Sequence, residues 1–103
     1  MKFHTLIRLN TAEYQFNDIG ELFGQLDHFG FPVEAALGQA HETGSILESS
    51  IEQQEPNLFT INLVWRDEVL FYQMLVSDIG RSALAYIANL GWTLEFLEKE
   101  NIE

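Results

Sequence analysis

Cysteine is absent from this chain of 103 residues. Disulfide bonds, thiolate metal sites and a cysteine nucleophile are therefore excluded, and a secreted scaffold held together by disulfides is disfavoured. Long hydrophobic runs are missing as well, because Arg8 and Asn10 interrupt the first apolar segment before it reaches the length of a signal peptide or a membrane span. We therefore expect a cytoplasmic location and no association with membranes.

Basic residues are scarce. Five Lys and Arg stand against sixteen Asp and Glu, which gives a formal net charge of -11. This charge repels phosphate backbones, so nucleic acid is a poor candidate ligand. The same field attracts basic proteins and speeds their encounter, although its simplest role is to keep a small protein soluble. The composition thus favours a basic protein partner over a nucleic acid.

Motifs of catalysis and metal binding are also missing. The sequence contains no HExxH, no GxSxG and no phosphate-binding glycine loop. Its three histidines, His4, His28 and His41, have the spacing of no common ligand motif. The sequence therefore predicts a protein that is not an enzyme, with no catalytic residue, no metal and no cofactor. A cofactor-free enzyme with a histidine or glutamate as acid or base is a third, minor hypothesis.

The hydrophobic pattern predicts an α+β domain. Strand alternation over residues 3–9 is followed by helical spacing from Asn17 or Asp18 to Gly30, and helical spacing returns from Ser77 or Asp78 to Gly91. A closing strand is predicted at 92–97, whereas residues 32–40 fit either a helix or a strand. Residues 1–97 are expected to form a single domain, and residues 98–103 a frayed acidic tail.

Residues 45–76 predict a three-stranded meander with turns at 55–57 and 66–68. Its third strand, 69–76, is apolar on both faces. Such a strand is either covered on both sides or exposes a contact surface. In the second case Leu70, Tyr72 and Met74 would form a homodimer interface.

A short internal repeat supports a two-layer fold. Asp18-Ile19-Gly20 and Asp78-Ile79-Gly80 each follow a predicted strand and begin a helix. A strand, helix, strand unit that occurs twice predicts a ferredoxin-like or related sandwich, with a mostly antiparallel sheet and two main helices on one face. The first helix, with its Asp, Gly, Leu and Gly, is similar to the small-molecule-sensing domains of the ACT type. This resemblance implies a dimeric regulatory module with its ligand near Asp18 or Asp78.

Two surface features suggest a docking site. Acidic residues are densest in the middle of the chain, and a projecting turn there combines an aromatic residue with a cation, which are residue types enriched at interface hot spots. The predicted partner-binding residues are Glu42, Glu48, Glu52, Glu55, Trp65 and Arg66. The leading functional hypothesis is a non-catalytic binding protein of the inhibitor, immunity, antitoxin or anti-CRISPR kind, whose acidic face docks on a basic partner. The alternative is the ligand-sensing dimer.

Overall fold

The computed structural model describes residues 1–102 and contains four strands and four helices over that range. In chain order the elements are β1 (Lys2–Asn10), α1 (Ile19–His28), α2 (Val33–Glu42), β2 (Ile46–Glu55), β3 (Leu58–Trp65), α3 (Glu68–Val76), α4 (Asp78–Asn89) and β4 (Thr93–Ile102). Within residues 1–102, every helix is too short or too polar to cross a membrane.

The strands form one antiparallel sheet in the order β2-β3-β1-β4. Each half of the chain contributes a strand, a pair of helices and a second strand, and the two middle strands, β1 and β3, come from different halves. This is the topology of a ferredoxin-like α+β sandwich. The predicted fold class is therefore confirmed, with two helices in each place where the sequence suggested one main helix.

The core lies between the sheet and the helices. Along β1, Phe3, Thr5, Ile7 and Leu9 are buried and alternate with half-buried residues, as the strand period requires. Two apolar clusters fill the layer, and each combines strand residues with helix residues. The first includes Phe3, Ile7, Leu63, Trp65 and Phe71, and the second includes Leu9, Phe16, Leu22, Leu26, Phe59 and Trp92.

The predicted helix ends agree with the structure. The Asp18 carboxylate accepts the backbone N-H of Glu21 at 2.8 Å and so begins α1. Gly30 follows the C-cap residue of this helix, Phe29, at a φ of 94°, and Gly91 follows the C-cap residue of α4, Leu90, at 79°. Both glycines adopt the left-handed conformation that ends many helices. At α4 the capping side chain is Ser77, so the second of the two similar segments is shifted by one residue relative to the first.

Residues 33–42 are helical, which settles the choice that the sequence left open. Pro32 stands at the N-cap, where its missing N-H costs no hydrogen bond. The partly buried Leu37 and Ala40 of this helix pack against the first cluster. Helix α2 therefore covers the β2 side of the sheet.

The predicted third strand of the meander is wrong, because residues 68–76 form helix α3. Asp67 accepts the backbone N-H of Leu70 at 3.0 Å and caps this helix. An apolar run cannot be assigned to a helix or a strand by periodicity alone, so the decisive signal was the aspartate before it. The first two strands of the meander are present as β2 and β3.

One smaller prediction also needs correction. Strand β4 continues to Ile102 and pairs with β1 as far as Lys2, so residues 98–102 are not a frayed tail. Glu103 lies outside the described residues. In β2 the register shifts between Ile46 and Glu48, which buries Ile46 and leaves Leu47 exposed. A bulge of this kind changes which side chains face the core.

Candidate functional site

The face of the sheet opposite the helices, called here the open face, is mostly polar. It carries the residues of each strand that alternate with the core residues, including His4 and Arg8 on β1, Asn62 on β3 and Glu52 on β2. Arg8 Nη2 lies 3.2 Å from both carboxylate oxygens of Glu95 on β4. The open face is therefore a surface on which charged and hydrogen-bonding groups meet across neighbouring strands.

A broad depression of about 700 Å³ lies on the β2 side of this face. We call it the histidine depression. Its volume falls within the range typical of small-molecule sites. The residues that line it are His4, His41, Glu48, Ser49, Ser50, Asn62 and Val64.

His4 forms one wall of the depression. Its Nε2 atom lies 3.0 Å from Oδ1 of Asn62, although the two residues are 58 positions apart in the chain. The antiparallel pairing of β1 with β3 places His4 opposite Val64, next to Asn62. A hydrogen bond to the carbonyl oxygen of Asn62 forms when Nε2 carries a proton, which it then donates. The ring of His4 is therefore held in one orientation.

His41 approaches the depression from the last turn of α2. Its Nε2 atom lies 2.8 Å from the hydroxyl oxygen of Ser49 on the edge strand β2, and its side chain is exposed. A hydroxyl at this distance can donate to an unprotonated imidazole nitrogen or accept from a protonated one. His41 can thus accept a proton in a position that a ligand can reach.

Together these groups have the properties of an acid-base site. A general base must lie within hydrogen-bond reach of the proton that it removes, and histidine has this role most often. The imidazole of His41 is exposed at the depression and so is accessible to a ligand, and Asn62 and Ser50 offer polar groups that could orient that ligand. Glu48 adds a carboxylate at the rim.

A second concavity, the glycine groove, lies between α1 and α2 and has a volume of about 380 Å³. Gly20 and Gly24, one helical turn apart, form part of it, and a Cβ atom added at Gly24 would meet nothing within 4 Å. The other lining residues are Phe23, Asp27, Pro32, Val33, Glu34 and Ala35.

The predicted acidic residues are only partly brought together. Glu48 and Glu52 share the open face of β2, as predicted, because their partners on β3 are Val64 and Thr60. Glu42 ends α2, and Glu55 ends β2. Of the four acidic residues, only Glu48 lines the histidine depression.

The projecting turn at Trp65 does not offer a hot spot. Trp65 is 3% exposed, and its indole N-H donates to the hydroxyl of Thr5 at 3.2 Å within the core. The side chain of Arg66 is exposed and lies 3.9 Å from the Asp67 carboxylate. The prediction that Trp65 contacts a partner is therefore wrong, because the strand alternation directs its ring into the core.

The predicted dimer surface assumed that residues 69–76 form a strand, but residues 68–76 form a helix. Leu70 packs against the first apolar cluster, whereas Tyr72 and Met74 are 43% and 39% exposed. Residues two apart in a helix point in widely different directions, so Leu70 and Tyr72 do not share a face. Homodimer formation stays a prediction, but these three side chains do not form one surface for it.

Four residues of the depression were not singled out from the sequence, namely Ser49, Ser50, Asn62 and Val64. In the sequence alone, Asn62 and Ser49 look like ordinary polar residues on strands. Only the pairing of β3 with β1 and β2 shows that they lie at the depression. The available signal was the alternation in β3, which places Asn62 opposite the core residues, but the register that brings it beside His4 is not encoded locally.

No protein-family model matches the chain, and no curated protein matches its sequence. Solved structures share its fold. One is a protein from Deinococcus radiodurans that is proposed to be an antibiotic biosynthesis monooxygenase. It is 15% identical to this chain with a TM-score of 0.66, and the match covers 100% of this chain and 93% of that protein. A mutant of SnoaB, a cofactor-independent oxygenase from Streptomyces nogalater, is 14% identical with a TM-score of 0.61, covering 99% and 93%. A conserved protein from Methanosarcina mazei is 13% identical with a TM-score of 0.57, covering 97% and 95%.

These comparisons correct two predictions. The hypothesis of an acidic inhibitor that docks on a basic protein is wrong, because the fold over the whole chain is that of proteins described as oxygenases. The prediction that the chain is not an enzyme is contradicted by the same finding, since this is a fold on which enzymes are built. Of the hypotheses drawn from the sequence, small-molecule binding fits the shared fold better than protein docking.

Proposed function

We propose that this chain binds a small organic molecule in the histidine depression and acts on it as a cofactor-independent oxygenase, with His41 as the base. The observation that carries this proposal is that His41 and His4, each joined to a polar partner, both line one open depression of about 700 Å³. The likeness in fold to SnoaB supports the reaction class.

An oxygenase without a cofactor must take its electrons from the substrate, so the substrate must be easily oxidised once it is deprotonated. A fused phenol has this property. His41 removes the phenolic proton, the phenolate transfers electrons to O₂, and a bond forms between oxygen and the ring carbon opposite the hydroxyl. The O-O bond then breaks, one oxygen stays as a carbonyl, and the other leaves as water with the two hydrogens. 1-Naphthol and O₂ thus give 1,4-naphthoquinone and water, with no other reductant.

The test is oxygen consumption with naphthol as the probe, together with detection of the quinone by its absorbance. We expect turnover by the wild-type protein and a loss of about tenfold or more in kcat in His41→Gln, because removal of a general base typically costs that much or more. The quinone should contain one oxygen atom from labelled O₂.

His28→Gln is the matched control. His28 is exposed at the end of α1, outside the histidine depression, so this change removes an imidazole without touching the site. Equal activity in the two variants and the wild-type protein would exclude His41 as the base. Absence of binding and turnover for every fused phenol tested would contradict the proposed substrate class.

A second candidate is the ligand-sensing module without catalysis. The observation that favours it is the glycine groove, which begins two residues after the helix cap at Asp18, where the resemblance to sensing domains placed the ligand. A ligand bound there, and unaffected by His41→Gln, would support sensing over catalysis. Both candidates are consistent with a cytoplasmic protein, and that location stays a prediction.

A further inference from the structure

Three ligand-type side chains meet on the open face across the pairing of β1 with β4. His4 lies opposite Glu100, and Leu6, two residues further along β1, lies opposite Glu98. One oxygen or nitrogen atom from each of His4, Glu98 and Glu100 lies within 4.8 Å of the other two. The histidine spacing in the sequence predicted no metal site, because this group forms only when two distant strands pair.

The distances in this group are too long for hydrogen bonds. Nδ1 of His4 lies 3.7 Å from an Oε of Glu98 and 3.8 Å from an Oε of Glu100. A protonated Nδ1 that donated to a carboxylate would draw it to roughly 2.8 Å. An ion about 2.1 Å from each of two ligands, by contrast, separates them by about 3.4 Å at the tetrahedral angle and by more at wider angles. The two distances from His4 Nδ1 are compatible with ligands that share one ion.

The orientation of His4 supports the same conclusion. Its Nε2 atom is engaged by Asn62, and its Nδ1 atom faces the two carboxylates. Hydrogen bonding at the far nitrogen is how proteins commonly fix the tautomer of a metal-binding histidine. His4 is 18% exposed at its side chain, so this nitrogen is partly shielded from water.

Within residues 1–102 no lysine or arginine pairs with the two carboxylates, since none lies within salt-bridge distance of Glu98 or Glu100. Arg8, on the same face, is engaged by Glu95, and Lys99 lies over the ring of Phe96. Two carboxylates and an imidazole nitrogen thus face one another without a lysine or an arginine between them.

We propose that His4, Glu98 and Glu100 bind a divalent transition-metal ion of the Zn²⁺ type. One imidazole nitrogen and two carboxylate oxygens are ligands that such ions accept, and the imidazole favours them over Mg²⁺ and Ca²⁺, which prefer oxygen ligands alone. Water would complete the coordination. The site goes beyond the proposed function; it shares His4 with the histidine depression but uses neither His41 nor a bound organic molecule.

Isothermal titration with Zn²⁺ alone tests the proposal. We expect one strong site in the wild-type protein and a dissociation constant raised by about tenfold or more in His4→Gln, Glu98→Gln and Glu100→Gln. Glu52→Gln is the matched control, because it removes the same charge from the same face at a distance from His4. Equal weakening in all four variants would show that the acidic surface binds Zn²⁺ diffusely and would overturn the site.

A second measurement needs no variant and so does not depend on whether the variants fold. Nitrogen-15 spectra of the imidazole rings during Zn²⁺ titration should show a large shift of Nδ1 in His4, with His28 unaffected. A shift confined to His41 or His28, or no ring shift when Zn²⁺ binds, would overturn the assignment. Mg²⁺ at the same concentration should leave the His4 signal unchanged.

Discussion

Replacing Phe71 by alanine is expected to lower the free energy of unfolding by about 3 to 5 kcal/mol. Phe71 is 0% exposed, and its ring centroid lies 5.4 Å from that of Phe3, 5.5 Å from Trp65 and 5.6 Å from Phe96. These rings join α3 to three strands. Truncation would remove the contacts and leave a cavity that a close-packed interior cannot fill. Urea unfolding followed by tryptophan fluorescence measures the change.

Val69→Ala provides the comparison on the same helix. Val69 is 61% exposed, so its replacement should change the stability by less than about 1 kcal/mol. A large loss at Val69 with a small loss at Phe71 would mean that α3 is rotated or that residues 68–76 are not helical. The pair of variants therefore tests the element that the sequence pattern failed to assign.

Gly80→Ala is expected to destabilise the protein by about 1 to 3 kcal/mol, although alanine is the better helix former. A Cβ atom at Gly80 would overlap the backbone oxygen of Met74, and it would approach the Ser77 hydroxyl to 3.2 Å. The overlap involves backbone, so α3 and α4 would have to move apart. Thermal or urea unfolding measures the loss.

Gly24→Ala makes the same change in α1, where nothing lies within 4 Å of the added atom. Only helix propensity acts there, so we expect a gain of up to about 1 kcal/mol. Opposite signs for the two substitutions are the expected result. A gain at both positions would contradict the close approach of Met74 to the start of α4.

The elements with a distinct local signal were predictable from the sequence. In β1 one face is buried and the other is not, so the apolar alternation is clear. Helix α1 has a capping aspartate at one end and Gly30 in a left-handed conformation at the other. Where burial is one-sided and the ends are marked, the sequence pattern and the structure agree.

Local patterns were insufficient where tertiary contacts decide. Helix α3 is apolar around most of its surface. One side packs on the sheet, and apolar residues on the other sides, Val69 and Val76 among them, are exposed. The run therefore has neither a helical nor a strand period. At β2 the bulge after Ile46 depends on pairing with β3, and the sequence of the strand contains no local signal that predicts it.

The candidate sites could not be predicted, because they depend on strand order and register. His4 meets Asn62 only through the pairing of β1 with β3, and it meets Glu98 and Glu100 only through the pairing with β4. The net charge of -11 predicted a basic protein partner instead. Net charge influences solubility and encounter rates, but it does not define a site.

The central claim is that the histidine depression is the ligand site, and amide chemical-shift mapping with naphthol tests it most directly. Nitrogen-15-labelled protein titrated with naphthol should show its largest shifts at His41, Ser49, Ser50 and Asn62, with little change at the glycine groove. Shifts concentrated at Gly20 and Gly24, or spread evenly over the surface, would contradict the claim.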